Sequence, residues 1–133
     1  MMKVLDFLKQ AKVFYAATVD GDQPRVRPLG FVMDYNGKLC FYVDSRANMY
    51  KQMQINPKME ISAIDEKMNT LRLTGKAVFL NSEDAQAKAL EVFPMLAKMG
   101  YKVGLEAFQV YSLEDIKMSY TSLMGENLEG IEL

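Results

Sequence analysis

Apolar and polar residues alternate along most of this chain, and the period of the alternation changes at identifiable points. In "MMKVLDFLKQAK" the apolar positions Val4, Leu5, Leu8 and Ala11 recur at helical spacing, so the segment predicts a short amphipathic helix. Asp6 falls within the apolar run, which argues against a secretory leader. "VFYAATVDGDQ" then reads as a strand ended by the turn signal Asp20-Gly21. A second strand is predicted from Arg25 to about Met33, and Asn36-Gly37 marks a two-residue hairpin that returns through "KLCFYVD".

"SRANMYKQMQINP" predicts a short helix capped by Asp44 or Ser45 and closed by Pro57. "KMEISAID" and "TLRLTGKAVFLN" predict two more strands, with a polar loop at Glu66 to Asn69; Gly75 signals a bulge or a close backbone approach. A further helix starts at "NSED", capped by Asn81 or Ser82. Its expected buried stripe is Ala85, Ala89, Val92, Phe93 and Leu96; Pro94 should kink or divide it, and Gly100 should stop it. "EAFQVYSLEDIKMSY" supplies a last long strand or two shorter ones, and the polar tail "MGENLEGIEL" is expected to fray. Antiparallel hairpins dominate this order, which predicts an α+β fold, a single domain over residues 1–133, with its sheet closing into a small barrel.

Composition narrows the chemistry. The 16 basic and 17 acidic residues leave a net charge of -1, which gives no general attraction to nucleic acid or to anionic membranes. The lone Cys40 excludes an internal disulfide and suits a cytoplasmic location. No histidine is present, so Ser-His and Cys-His nucleophiles and His-containing zinc sites are excluded. An enzyme of this composition would draw on Tyr, Lys, Asp or Glu, or on a bound cofactor. Cys40, Tyr111, Tyr120 and the 11 methionines read most simply as packing residues.

One stretch resists a purely structural reading. In "PRVRPLGF" the pleat places Arg25, Arg27, Leu29, Phe31 and Met33 on one face. Counting back from an Asn36-Gly37 turn sets Phe31 opposite Tyr42, Leu29 opposite Asp44 and Arg27 opposite Arg46. The basic side chains then gather beside the N–H groups of the helix that begins near Ala47, with Lys51 as a further donor. Clustered like charge requires an anion. Two sources fit the spacing equally: acidic neighbours such as Asp44, Asp20 and Asp22, or a ligand phosphate.

The segments "QPRVRPLGF", "LCFYVDSRANMYKQMQINPKMEIS" and "LRLTGKAVF", in that order, resemble the FMN-binding split-barrel proteins related to pyridoxamine 5'-phosphate oxidase, especially the small proteins related to nitroimidazole reductases. The resemblance covers nearly the whole chain. It implies a six-stranded antiparallel split β-barrel with flanking helices, and a homodimer with FMN at the interface. It also implies that Arg27, Pro28 and Leu29 lie along the flavin ring and ribityl chain with Tyr42 and Val43 on the neighbouring strand beside them, and that Arg25 belongs to the same cofactor-binding set. Arg46, Ala47, Asn48, Met49 and Lys51 would hold the phosphate, Lys51 standing in for the basic pair that the oxidases carry where this chain has Asn48-Met49. Arg72 matches a basic strand position near the cofactor. The chain lacks the Trp and His used by the true oxidase, so vitamin B6 oxidation is not expected. The implied activity is an FMN-dependent oxidoreductase acting with a small-molecule electron donor and an acceptor such as a nitroaromatic or quinone. The alternatives are a flavin-binding redox sensor or cofactor carrier without turnover, and a cofactor-free barrel.

Overall fold

The computed structural model describes residues 1–133 and has an α+β architecture. Helix α1 (Val4–Ala11) follows a two-residue strand β1 (Met2–Lys3) and buries Val4, Phe7 and Leu8. Strands β2 (Phe14–Asp20), β3 (Gln23–Leu29), β4 (Met33–Tyr35) and β5 (Lys38–Asp44) come next, then helix α2 (Asn48–Ile55) and the pair β6 (Lys58–Ile64) and β7 (Thr70–Phe79). Helices α3 (Glu83–Val92) and α4 (Met95–Lys98) precede the long strand β8 (Phe108–Thr121) and a terminal strand β9 (Ile131–Glu132).

The main sheet is antiparallel throughout, with seven strands in the order β3-β2-β6-β7-β8-β5-β4. Its two edges, β3 and β4, are consecutive in sequence and joined only by residues 30–32. From Leu29 to Met33 the chain can span at most about 14 Å, so the edges must lie close together and the sheet curls into an incompletely closed barrel. The strand expected from Arg25 to Met33 is therefore two strands on opposite edges, and the expected six strands become seven. At the break the chain passes between two cores, and Phe31, Val32 and Met33 are buried in succession. Val32 joins the 19-residue core inside the barrel, while Phe31 and Met33 join a second core between β4, β5, β8 and the α3–α4 layer.

Strand β5 is buried on both faces for the same reason: Leu39, Phe41 and Val43 point into the barrel, and Cys40 and Tyr42 pack toward α3 and α4. Its hairpin with β4 has the expected register, Tyr35 opposite Lys38, with Asn36 at φ 53° and Gly37 at φ 80°. Gly75 sits at a register shift in the β7–β8 pairing, where a Cβ would come within 2.7 Å of the Glu114 carbonyl oxygen. Ser82 Oγ caps α3 by accepting from Ala85 N at 3.1 Å, and Pro94 divides α3 from α4. Gln86 is buried in place of the expected Val92 and Phe93, which stay partly exposed because the helix ends at Val92.

The C-terminal tail is paired rather than frayed. β9 runs parallel to β1, Met2 N donates to Gly130 O at 2.9 Å, Leu128 N donates to Tyr120 O at 2.8 Å, and Ile131 packs on the barrel core. No helix is long and apolar enough to cross a membrane.

Candidate functional site: a basic cleft beside an aromatic groove

Strand β3 pairs with β2, so Arg27 lies opposite Ala16 and Arg25 opposite Thr18. The expected register of Arg27 against Arg46 does not form, because β4, not β3, is the hairpin partner of β5. The inward parity of Arg27 aims its guanidinium at α2. Arg27 Nη1 donates to Thr18 Oγ1 at 2.6 Å, and Nη2 donates to Gln52 Oε1 at 3.0 Å.

Both partners are neutral, which sets Arg27 apart. The chain has four arginines. Arg25 is paired with Asp20 at 3.1 Å, Arg46 with Asp44 at 2.6 Å, and Arg72 with Glu60 at 2.7 Å. Arg27 alone has no carboxylate partner. Burial lowers its pKa from the ordinary arginine value, but a guanidinium keeps its charge in proteins. The result is a half-buried, uncompensated positive charge.

That charge opens on a cleft of about 660 Å³ between the β2–β3 turn and α2. Arg25, Arg27, Asn48, Lys51 and Gln52 line it, with Asp20, already held by Arg25, on the rim. Lys51 forms no ion pair either. Helix α2 starts here at Asn48 after the N-cap residue Ala47, without any side-chain cap. Neither expected cap, Asp44 or Ser45, serves the helix, whose N-cap position falls to Ala47; Asp44 Oδ1 instead accepts from Arg46 N at 2.9 Å.

A second hollow of about 350 Å³ continues along the same strand and helix. Pro28 and Leu29 of β3, Tyr42 and Val43 of β5, and Met49 of α2 line it, closed on the far side by Phe93, Met99 and Tyr101. Its walls are aromatic: Phe31 and Tyr42 meet edge-to-face with centroids 5.6 Å apart, Tyr42 and Tyr101 at 5.4 Å, and Phe31 and Phe93 at 6.3 Å. At one end Tyr101 Oη donates to Asp44 Oδ2 at 2.8 Å. Hydrogen bonds from Arg46, then from Tyr101, hold the Asp44 carboxyl well below the usual range. Burial, reinforced by the bond to Asp44, pushes the Tyr101 phenol up to about 12, and burial also raises Tyr42.

The structure thus divides the candidate residues. Arg25, Arg27, Asn48 and Lys51 meet in the cleft; Pro28, Leu29, Tyr42, Val43 and Met49 meet in the groove. Arg46 lies on the surface beyond Asp44, Ala47 caps α2, and Arg72 pairs with Glu60 on β6; these three line neither hollow. Sequence reasoning missed Thr18, Gln52, Phe93, Met99 and Tyr101. Two signals were available. Thr18 shares the inward parity of Phe14 and Ala16, and a polar group there needs a partner; Gln52 lies four residues after Asn48, on the same helical face.

A family model described as pyridoxamine 5'-phosphate oxidase matches residues 2–120. The chain belongs to the pyridoxamine 5'-phosphate oxidase family. Within solved members of this fold it is similar to a NimC/NimA family protein from Clostridium acetobutylicum, with 41% identity over 93% of this chain and 86% of that one, at a TM-score of 0.87. Two more distant structures share the fold: a pyridoxamine 5'-phosphate oxidase-related, FMN-binding protein from Nostoc punctiforme (18% identity, 92% of this chain and 82% of that one, TM-score 0.70) and General Stress Protein 26 from Bacillus anthracis (12% identity, 94% of each chain, TM-score 0.71). No curated protein matches the chain. The split barrel expected from the sequence is the fold of this oxidase family, with the seventh strand arising from the break at residues 30–32.

Proposed function

We propose that this pyridoxamine 5'-phosphate oxidase family protein binds FMN and works as an FMN-dependent oxidoreductase on a small planar acceptor, such as a nitroaromatic or a quinone. The observation that carries the reading is Arg27, whose charge is answered only by neutral acceptors, Thr18, Gln52 and the Arg25 backbone carbonyl, although every other arginine has a carboxylate. A phosphate dianion in the adjoining cleft would complete it through charge-assisted hydrogen bonds. The apolar groove beside the cleft suits a flat aromatic ring, and the two hollows share β3 and α2, as an amphipathic ligand of this kind requires.

Bound FMN would supply the electron-transfer chemistry at its ring. The chain's own part is to bind, orient and exclude water. Arg27 and Lys51 hold the anionic end. Pro28, Leu29, Val43 and Met49 pack the ring, and the Phe93–Tyr101 wall limits solvent and shapes what can approach. Asp44 stays ionised and Tyr42 and Tyr101 stay protonated near neutral pH, so the groove keeps one charge state there.

The same reading includes a homodimer. Tyr15 is 51% exposed and Val26 69% exposed on the outer face of β2 and β3, and Tyr15 is the direct cross-strand neighbour of Pro28 in the groove wall. A second copy covering this strip would lie against the groove.

Fluorescence titration of purified protein with FMN and with riboflavin tests the proposal. Preference for FMN that falls in Arg27→Ala supports it, and anaerobic reduction followed by acceptor addition then tests turnover. Equal, weak binding of both flavins would overturn it.

A further inference from the structure

The orientation of the Gln52 amide is fixed by chemistry. Arg27 Nη2 lies 3.0 Å from the Gln52 atom that faces it. A guanidinium has only donors, so that atom must be the carbonyl oxygen; the flipped amide would set N–H against N–H. Thr18 Oγ1 already accepts from Arg27 Nη1 at 2.6 Å, and its single proton goes to the same Gln52 Oε1, also at 2.6 Å. Oε1 therefore has both lone pairs engaged. The two N–H groups of Nε2 have no acceptor within the chain, and the residue lines the basic cleft.

Thr18 is 2% exposed, and its hydroxyl closes a triangle that spans β2, β3 and α2. The chemistry of the third corner matters. A glutamate there would neutralise Arg27 and present negative charge to the cleft. Glutamine instead holds the guanidinium, leaves its charge intact and adds a donor.

We infer that Gln52 is a phosphate-binding residue that donates through Nε2 beside Arg27 and Lys51, and that Thr18 is the positioning residue that locks both side chains in that orientation. This deepens the FMN reading above and rests on it. It assigns the cleft specificity for a phosphate monoester over the same ligand without one, because the donors converge on the anionic end and make no use of the ring.

The test measures dissociation constants for FMN and riboflavin in wild type, Gln52→Leu, Gln52→Glu, Thr18→Val and Thr18→Ser, with inorganic phosphate as a competitor. The readout is the riboflavin-to-FMN ratio of those constants. Gln52→Leu should lower the ratio about 10-fold or more by weakening FMN alone. Gln52→Glu should lower it further. Thr18→Val should also lower it, and Thr18→Ser, which keeps the hydroxyl, should restore it. Inorganic phosphate should compete with FMN in wild type and less well in Gln52→Leu.

A wild type that prefers FMN, together with a Gln52→Leu ratio unchanged from wild type, would overturn the inference while leaving the FMN reading in place. Matching behaviour of Thr18→Val and Thr18→Ser would overturn the positioning role. A wild type with no preference would remove the phosphate reading and this inference with it. Should Thr18→Val fail to fold by circular dichroism, the partly exposed Gln52 variants decide the phosphate role, and Thr18→Ala replaces Thr18→Val in the comparison with Thr18→Ser.

Discussion

Asp44 grips Arg46 with both carboxylate oxygens, Nε to Oδ1 at 2.9 Å and Nη2 to Oδ2 at 2.6 Å, and accepts two more bonds, from Arg46 N and from Tyr101 Oη. Arg46 is therefore satisfied within the chain, while Arg27 is not. Arg27→Ala should weaken FMN binding by about 1.5–3 kcal/mol, the range for a hydrogen bond to a charged group. Arg46→Ala should weaken it less. Parallel flavin fluorescence titrations of the two variants check the order, and a larger loss in Arg46→Ala would reverse the assignment of the two arginines.

The same carboxylate predicts an acid sensitivity. Arg46, first, and Tyr101 hold the folded-state pKa of Asp44 below its unfolded value near 4. The unfolded chain therefore binds the proton more readily as pH falls. The stability that Asp44 contributes is full above about pH 4 and is lost as pH drops through the folded pKa. Asp44→Asn should be less stable than wild type at pH 7, and the gap should narrow at pH 3. Urea midpoints at the two pH values measure it.

Gly75 tests the bulge. Any side chain there meets the Glu114 backbone oxygen at 2.7 Å and the Leu113 side chain at 2.9 Å, and the backbone cannot yield without disturbing β7–β8 pairing. Gly75→Ala should cost about 1–3 kcal/mol in urea unfolding, as other overpacked sites do. A neutral effect would mean that the two strands part easily at this point.

Two buried groups in the cores are predicted to be chemically quiet. Cys40 is fully buried, and burial pushes its thiol up to about 11. It should resist maleimide at pH 8 in native protein and react in denaturant. Tyr111 is also fully buried, stacked on Phe41 with centroids 5.6 Å apart, and its hydroxyl has no hydrogen-bond partner. Removing that hydroxyl relieves a desolvated polar group, so Tyr111→Phe should leave stability unchanged or raise it by about 1 kcal/mol. Thermal or urea unfolding decides it; a marked loss would show that the phenol is bonded in solution.

Local chemistry made much of the fold legible. Asn36-Gly37 specified its hairpin because both residues tolerate positive φ, Ser82 its cap, Pro94 the division of a helix and Gly75 the bulge; each is a constraint within a few residues. The family resemblance, the α+β class and the run of basic residues from Arg25 to Lys51 were likewise present in the chain's own order. The sequence could not show that "PRVRPLGFVM" serves two edges of one sheet, since that break is forced by barrel closure and by two cores meeting at residues 30–32. Nor could it assign partners to the arginines. Which carboxylate answers which guanidinium depends on strand register across the sheet, and only the folded sheet pairs Arg25 with Asp20 and Arg46 with Asp44 while turning Arg27 toward Thr18 and Gln52. The sequence by itself determined which charges exist and roughly where they gather; tertiary structure decided which one remains free, because neutralisation is a contact between distant segments and not a property of spacing.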